Sequence, residues 1–155
     1  MLFHASIPAD EPERCARVLA QIWRGHHMPS PGRTDGGFYI AFALDDRGTE
    51  IEFCPRGQEH FPAPTERDFQ KNSTPSPYSE CHIAIGTPLT EDEVIDIVKR
   101  EGWTVRRCDR GGAFDVIEVW LENKFMIEVL PESMQRRYLD FMRPAHLRTF
   151  FEPAT

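Results

Sequence analysis

The chain has 155 residues, 40% of them hydrophobic, and a formal charge of -7. That length fits one domain or two small modules sharing a core, and the apolar fraction fills an interior, which excludes a disordered chain. The acidic balance argues against a nucleic-acid partner, because binding a phosphate backbone needs a basic surface.

The first residues, Met1-Leu2-Phe3-His4-Ala5-Ser6-Ile7, carry no basic segment and meet Pro8 before an apolar run develops. No signal peptide is expected. No stretch approaches the roughly 20 apolar residues of a membrane span. Cys15, Cys54, Cys81 and Cys108 are widely spaced with no C-x-x-C pair, which reads as reduced, mostly buried thiols in a cytoplasmic protein.

Residues 3–7 read as a buried strand, closed by Pro8-Ala9-Asp10. Asp10 suits a helix cap, and Glu11 and Glu13 suit the positive helix N-terminus. Cys15, Val18, Leu19, Ile22 and Trp23 recur at helical spacing up to Gly25. A loop follows over 28–37. Residues 38–44 and 49–54 form a hairpin about Asp45-Asp46-Arg47-Gly48, with Glu50, Glu52 and Cys54 on one face. Residues 57–79, rich in proline and poor in aliphatics, read as a surface linker.

The second half repeats the first. Cys81-His82-Ile83-Ala84-Ile85 matches Phe3-His4-Ala5-Ser6-Ile7, and Thr90-Glu91-Asp92-Glu93 is a capping box opening a helix that ends at Glu101-Gly102. Residues 103–108 alternate as a strand, and 114–121 with 124–130 form a hairpin about Glu122-Asn123. A helix over 132–142 and an irregular end complete the chain. The expectation is an α+β fold with a first βαβββ module at 1–56, a second at 80–130, and a C-terminal helix and tail at 131–155.

The repeat carries the chemistry. His4 and Glu52 lie 48 positions apart and His82 and Glu128 lie 46 apart, with each glutamate in an Ile-Glu-Phe or Ile-Glu-Val frame on the last strand of its module. First and last strands lying side by side would put each pair on one face, and two paired modules would bring both pairs to one point. Two imidazoles and two carboxylates suit a divalent Ni, Zn, Fe(II), Mn or Co ion with positions left for a small-molecule substrate. The remaining histidines, His26 and His27 in a loop, His60 in the linker and His146 in the tail, read as surface residues. Glu118 and Trp120 could line the same cup. Arg56 reads as a solvated arginine.

This layout resembles the glyoxalase I and methylmalonyl-CoA epimerase branch of the vicinal-oxygen-chelate superfamily, over residues 2–130. The resemblance implies an open eight-stranded cup around one metal, with His4, Glu52, His82 and Glu128 as ligands. It makes Glu128 or Glu52 the base that moves a proton next to a carbonyl, and implies a homodimer. The family's dioxygenases and fosfomycin-resistance enzymes use two histidines and one glutamate, so the extra carboxylate at Glu52 favours isomerase or lyase chemistry. A metal-free binding protein of the bleomycin-resistance type, or a dioxygenase of the same superfamily, is the alternative. The last hairpin departs from many relatives, reading Leu121-Glu122-Asn123-Lys124.

Overall fold

Residues 3–31, 36–61 and 69–151 are described in a computed structural model of the chain. Its first half is β1 (His4–Ala9), α1 (Pro12–Trp23), β2 (His26–Pro29), β3 (Tyr39–Phe42) and β4 (Glu50–Pro55). Pro12 sits in the first turn of α1, where a missing N–H breaks no helical bond. The expected stripe of Cys15, Val18, Leu19, Ile22 and Trp23 is buried. Arg24 ends the helix in the left-handed conformation, and a Cβ on Gly25 would lie 1.8 Å from the Phe42 carbonyl oxygen. Only glycine lets the chain turn there into β2.

That strand corrects the sequence expectation at the front of the loop. His26-His27-Met28-Pro29 has no aliphatic period, and its strand character comes from antiparallel pairing with β3. The two histidines therefore alternate across a sheet. The sheet order is β1-β4-β3-β2, with β1 parallel to β4.

Within the linker, β5 (Gln58–His60) and β6 (Phe69–Lys71) pair as a small ribbon, local order that its composition conceals. The second half is β7 (Ile83–Gly86), α2 (Glu91–Arg100), β8 (Thr104–Asp109), β9 (Asp115–Leu121) and β10 (Phe125–Leu130), in the order β7-β10-β9-β8. The capping box on α2 is present, with Thr90 and Glu93 each bonding the other's backbone N–H. After α3 (Glu132–Phe141), the expected irregular end is instead α4 (Pro144–Phe151), begun by Pro144 and tied back by His146 Nδ1, 2.9 Å from the Phe141 carbonyl oxygen. The result is a mixed α+β fold with the same strand order in two four-stranded sheets and no closed barrel. No helix among the described residues is long and apolar enough to cross a membrane. The four cysteines are free thiols; Cys15 and Cys54 are buried, Cys108 is half-buried and Cys81 is exposed.

The two halves share one interior. Ile7, Ile51 and Phe53 from the first sheet join Ile117, Val119, Ile127 and Val129 from the second, with α1 and α2 between them. Burying each such side chain contributes about 1.5–3 kcal/mol. Because strand residues alternate, His4, Glu52, Glu118 and Glu128 project from the opposite faces, away from this core.

Polar contacts fix how the halves dock. Trp23 Nε1 donates to the Gly86 carbonyl (3.1 Å), and Arg14 and Arg17 both reach Glu101 (2.8 and 2.9 Å). Helix α1 lacks a side-chain cap of its own. The carboxylate of Glu122, in the β9–β10 turn, accepts from the backbone N–H of Asp10 (2.7 Å) and Glu11 (2.6 Å) just ahead of the helix. An anion there complements the helix dipole. Arg56 is mostly buried beside it and donates to Asp10 (2.6 Å), which also holds Lys124. Arg56 is therefore an interior clamp, contrary to the solvated arginine expected from sequence. Glu122→Gln keeps the side-chain length and the left-handed backbone while removing the charge. It is expected to lower unfolding free energy by about 1–2 kcal/mol in urea titration. A variant as stable as the parent would show that this cap does not join the halves.

Candidate functional site

In the first sheet the parallel ladder sets Ser6 opposite Glu52 and His4 opposite Glu50. His4 Nδ1–H donates to Glu50 Oε1 (2.7 Å), and His4 Nε2 lies 2.9 Å from Ser6 Oγ. The Ser6 hydroxyl donates to Glu52 Oε2 (3.3 Å), while Ser30 Oγ donates to Oε1 (2.7 Å) and Cys54 Sγ lies 3.7 Å from Oε2. Glu52, buried in its sheet face, is thus reached from His4 through one hydroxyl. Glu50 fixes the ring from behind, the arrangement by which a carboxylate orients a ligand histidine.

The second sheet repeats the register. Ala84 lies opposite Glu128, so His82, like His4, sits two residues ahead of the position that faces the glutamate. His82 precedes β7 by one residue and its side chain is 51% exposed; its Nε2 stands 4.0 Å from Glu128 Oε1. With alanine where the first sheet has Ser6, no hydroxyl intervenes.

Glu128 also lies directly opposite Glu118 on β9. Two carboxylates, 11% and 8% exposed, would repel in that position without a cation. Arg110, in the turn after β8, supplies one: its Nη2 donates to Glu128 Oε1 (2.5 Å) and to Glu118 Oε1 (2.9 Å). Arg106, opposite Glu118 on β8, donates Nε to Glu118 Oε2 (2.7 Å). Burial pushes the Glu118 carboxyl up, but the hydrogen bonds from Arg110 and Arg106 outweigh it and hold it at about 2. The two carboxylates and two guanidiniums balance.

Each half thus joins the imidazole and carboxylate expected from its sequence: His4 with Glu52 through Ser6, and His82 with Glu128 directly. The four do not meet in one chain, since no group of three or more His, Cys, Asp or Glu among the described residues is placed to hold a metal. The donor sets fit a divalent ion nonetheless. Ligand bonds of about 2.0–2.2 Å allow donor atoms up to about 4 Å apart on one ion, as His82 and Glu128 are. The outer carboxylate on His4 leaves Nε2 as the ligating nitrogen.

A cleft of about 810 Å³ opens between the halves, lined by His4, Ala5, Trp23, Glu50, Ile83 and Ile85. It reaches His4 and Glu50 of the first half-site and Ala84 of the second, while Glu52, His82 and Glu128 do not line it. His26 lies opposite Phe42, which lies opposite Glu50, so His26 shares the face of His4 rather than sitting apart in a loop. Sequence reasoning missed Glu50, Ser6, Ser30, Arg106 and Arg110 as participants. Alternation along β8 was the available signal for Arg106, which with Cys108 falls on the face of Glu118.

Because the folded Glu118 carboxyl is lowered from its ordinary 4.5 to about 2, its contribution is present above pH 4.5 and is lost as pH falls towards 2. Wild type is expected to exceed Glu118→Gln in stability by roughly 2 kcal/mol at neutral pH, the gap closing across that window in denaturant titrations. Parallel pH curves would show that Glu118 is not held ionised by the two arginines.

No protein-family model matches the chain, and no curated protein matches it. Solved structures do. The fosfomycin resistance protein FosX from Listeria monocytogenes aligns at 13% identity over 88% of this chain and 97% of its own, with a TM-score of 0.55. FosX from Mesorhizobium loti aligns at 16% identity over 90% and 97%, TM-score 0.52, and a glyoxalase family protein from Bacillus anthracis at 15% over 84% and 93%, TM-score 0.52. The Listeria protein has been solved with manganese(II) and sulfate. At these identities the likeness speaks for the fold. Matched strand order in the two halves and alignment to these structures over 84% to 90% of the chain give one conclusion: the chain has the fold of the glyoxalase, or vicinal-oxygen-chelate, superfamily.

Proposed function

We propose that this chain is a metal-dependent enzyme that moves a proton next to a carbonyl of a small molecule bearing adjacent oxygens. The observation that carries the reading is the common register: Ser6 opposite Glu52 and Ala84 opposite Glu128 set each histidine on the face of its glutamate at the same offset. FosX structures with manganese(II) support a divalent ion. The ligands proposed are His4 and Glu52 from one chain and His82 and Glu128 from a second, in a homodimer.

The edges of the sheets support that pairing. β1 and β7 are the outer strands of their sheets among the described residues, and each lies at the histidine end of its half-site. On β7, Ile83 and Ile85 are half-buried and Ala84 is exposed, an apolar edge of the kind that adds a further strand.

When bound, a divalent ion polarises a carbonyl and lowers the energy of developing negative charge. The chain does the rest. Glu52 is the proposed base, its carboxylate held in place by the hydroxyls of Ser6 and Ser30. Glu50 holds the His4 ring in place. Ile40, buried and opposite Glu52 on β3, keeps water from that flank of the carboxylate.

The engagement of Glu128 by Arg110 also favours a second reading, a metal-free binding protein whose cup is already neutralised. Metal content separates the two. Protein purified without chelator, or reconstituted with Mn, Zn, Ni, Co or Fe(II), is expected to hold stoichiometric metal that His4→Ala and Glu128→Gln both lose. Wild type that takes up no metal after reconstitution would exclude the enzyme reading and leave the binding protein.

A further inference from the structure

We infer that Arg110 is a displaceable internal cation: its guanidinium engages Glu128 Oε1 and must leave that oxygen for a divalent ion to bind. The inference rests on the metal reading above and adds a residue that sets affinity and selectivity for the ion.

Three features argue for exchange rather than a fixed structural bridge. The first is asymmetry. Glu118 holds both Arg110 and Arg106, whereas the guanidinium on Glu128 is that of Arg110 alone among the contacts of this group. Moving Arg110 off Glu128 leaves Glu118 paired through Arg106 and opens a buried carboxylate that only another cation can satisfy.

The second is geometry. Glu128 Oε1 lies 2.5 Å from Arg110 Nη2 and 3.2 Å from its Nε, and it is the same oxygen that stands 4.0 Å from His82 Nε2. Guanidinium and metal ion compete for one atom. His82 needs no such release, since its side chain is half exposed. Because Nη2 also reaches Glu118 Oε1 at 2.9 Å, the guanidinium can swing to Glu118 and keep a charged partner.

The third is the mounting. Arg110 lies outside β8, in a turn continued by Gly111 and Gly112, both at positive φ. Its backbone N–H bonds the Phe114 carbonyl, and Asp109 accepts from Gly112 N–H, so the turn is defined while the side chain, 32% exposed, stands at the rim. A rim-mounted arm moves without disturbing the core.

Manganese(II) titrated into the metal-free full-length protein by calorimetry tests this. Arg110→Gln is expected to bind about 10- to 100-fold more tightly than wild type, the range of a charge-assisted hydrogen bond removed as competitor. Arg106→Gln, which removes the same charge from Glu118 without touching Glu128, is expected to stay within about threefold. Metal-free Arg110→Gln should also melt below wild type and regain the difference when manganese is added. Should it fail to fold, Arg110→Lys keeps the charge but loses the fork across both carboxylates, and should still bind several-fold more tightly. Wild type that binds manganese, with Arg110→Gln no tighter, overturns this inference and leaves the metal reading standing. No binding by wild type or by either Arg110 variant overturns both.

Discussion

A single apolar interior serves both halves of this protein, and the placing of its chemistry follows from that constraint. Strand residues alternate, so a sheet that gives one face to the core gives the other to solvent or a partner. With Ile51, Phe53, Ile127 and Val129 committed inward, Glu52 and Glu128 have no choice of side. Docking of α1 against α2 and the capping of α1 by Glu122 hold the sheets back to back. Two half-sites in one chain are the consequence.

The halves share a register and differ in electrostatics. At the position facing the glutamate the first has a serine and the second an alanine. Beside each histidine the first has Glu50, and the matching residue on β10 is Met126. The first half-site therefore fixes its imidazole and couples it to the carboxylate by a hydroxyl. The second leaves its imidazole open to solvent and places charge balance on arginines. A duplicated layout has been specialised, one copy for proton handling and one for cation exchange on the proposed reading.

Much of this architecture was legible in the sequence, and the failures have physical causes. The helix stripe of α1, the capping box at Thr90 and the turn at Glu122-Asn123 each depend on residues within a few positions, and each is present. β2 escaped notice because His26-His27-Met28-Pro29 becomes a strand only through its partner. Arg56 looked solvated because its partners, Asp10 and Glu122, lie 46 and 66 positions away. The His/Glu pairing was visible as a repeat, but Arg110 was not, since its role depends on a turn that folds it back over β9 and β10. Periodicity reports a side chain's face. It does not report which neighbour arrives there from another element.

Charge accounting then explains why the second half-site carries a dedicated cation. Glu118 and Glu128 face each other across an antiparallel pair, where side chains stand about 5 Å apart, and leaving both ionised and unpaired in a mostly buried setting costs several kcal/mol. In the first half-site Glu52 faces Ile40 instead, so no second carboxylate presses on it from β3. On the proposed reading, a chain with a ligand carboxylate beside a second acid must hold both before an ion binds, and a guanidinium bridging them meets that need. On the same reading the bridge raises the threshold for ion binding, because a weak ligand for carboxylate cannot displace a charge-assisted pair. On that reading, stability without the ion and selectivity for it both rest on one side chain acting on one oxygen.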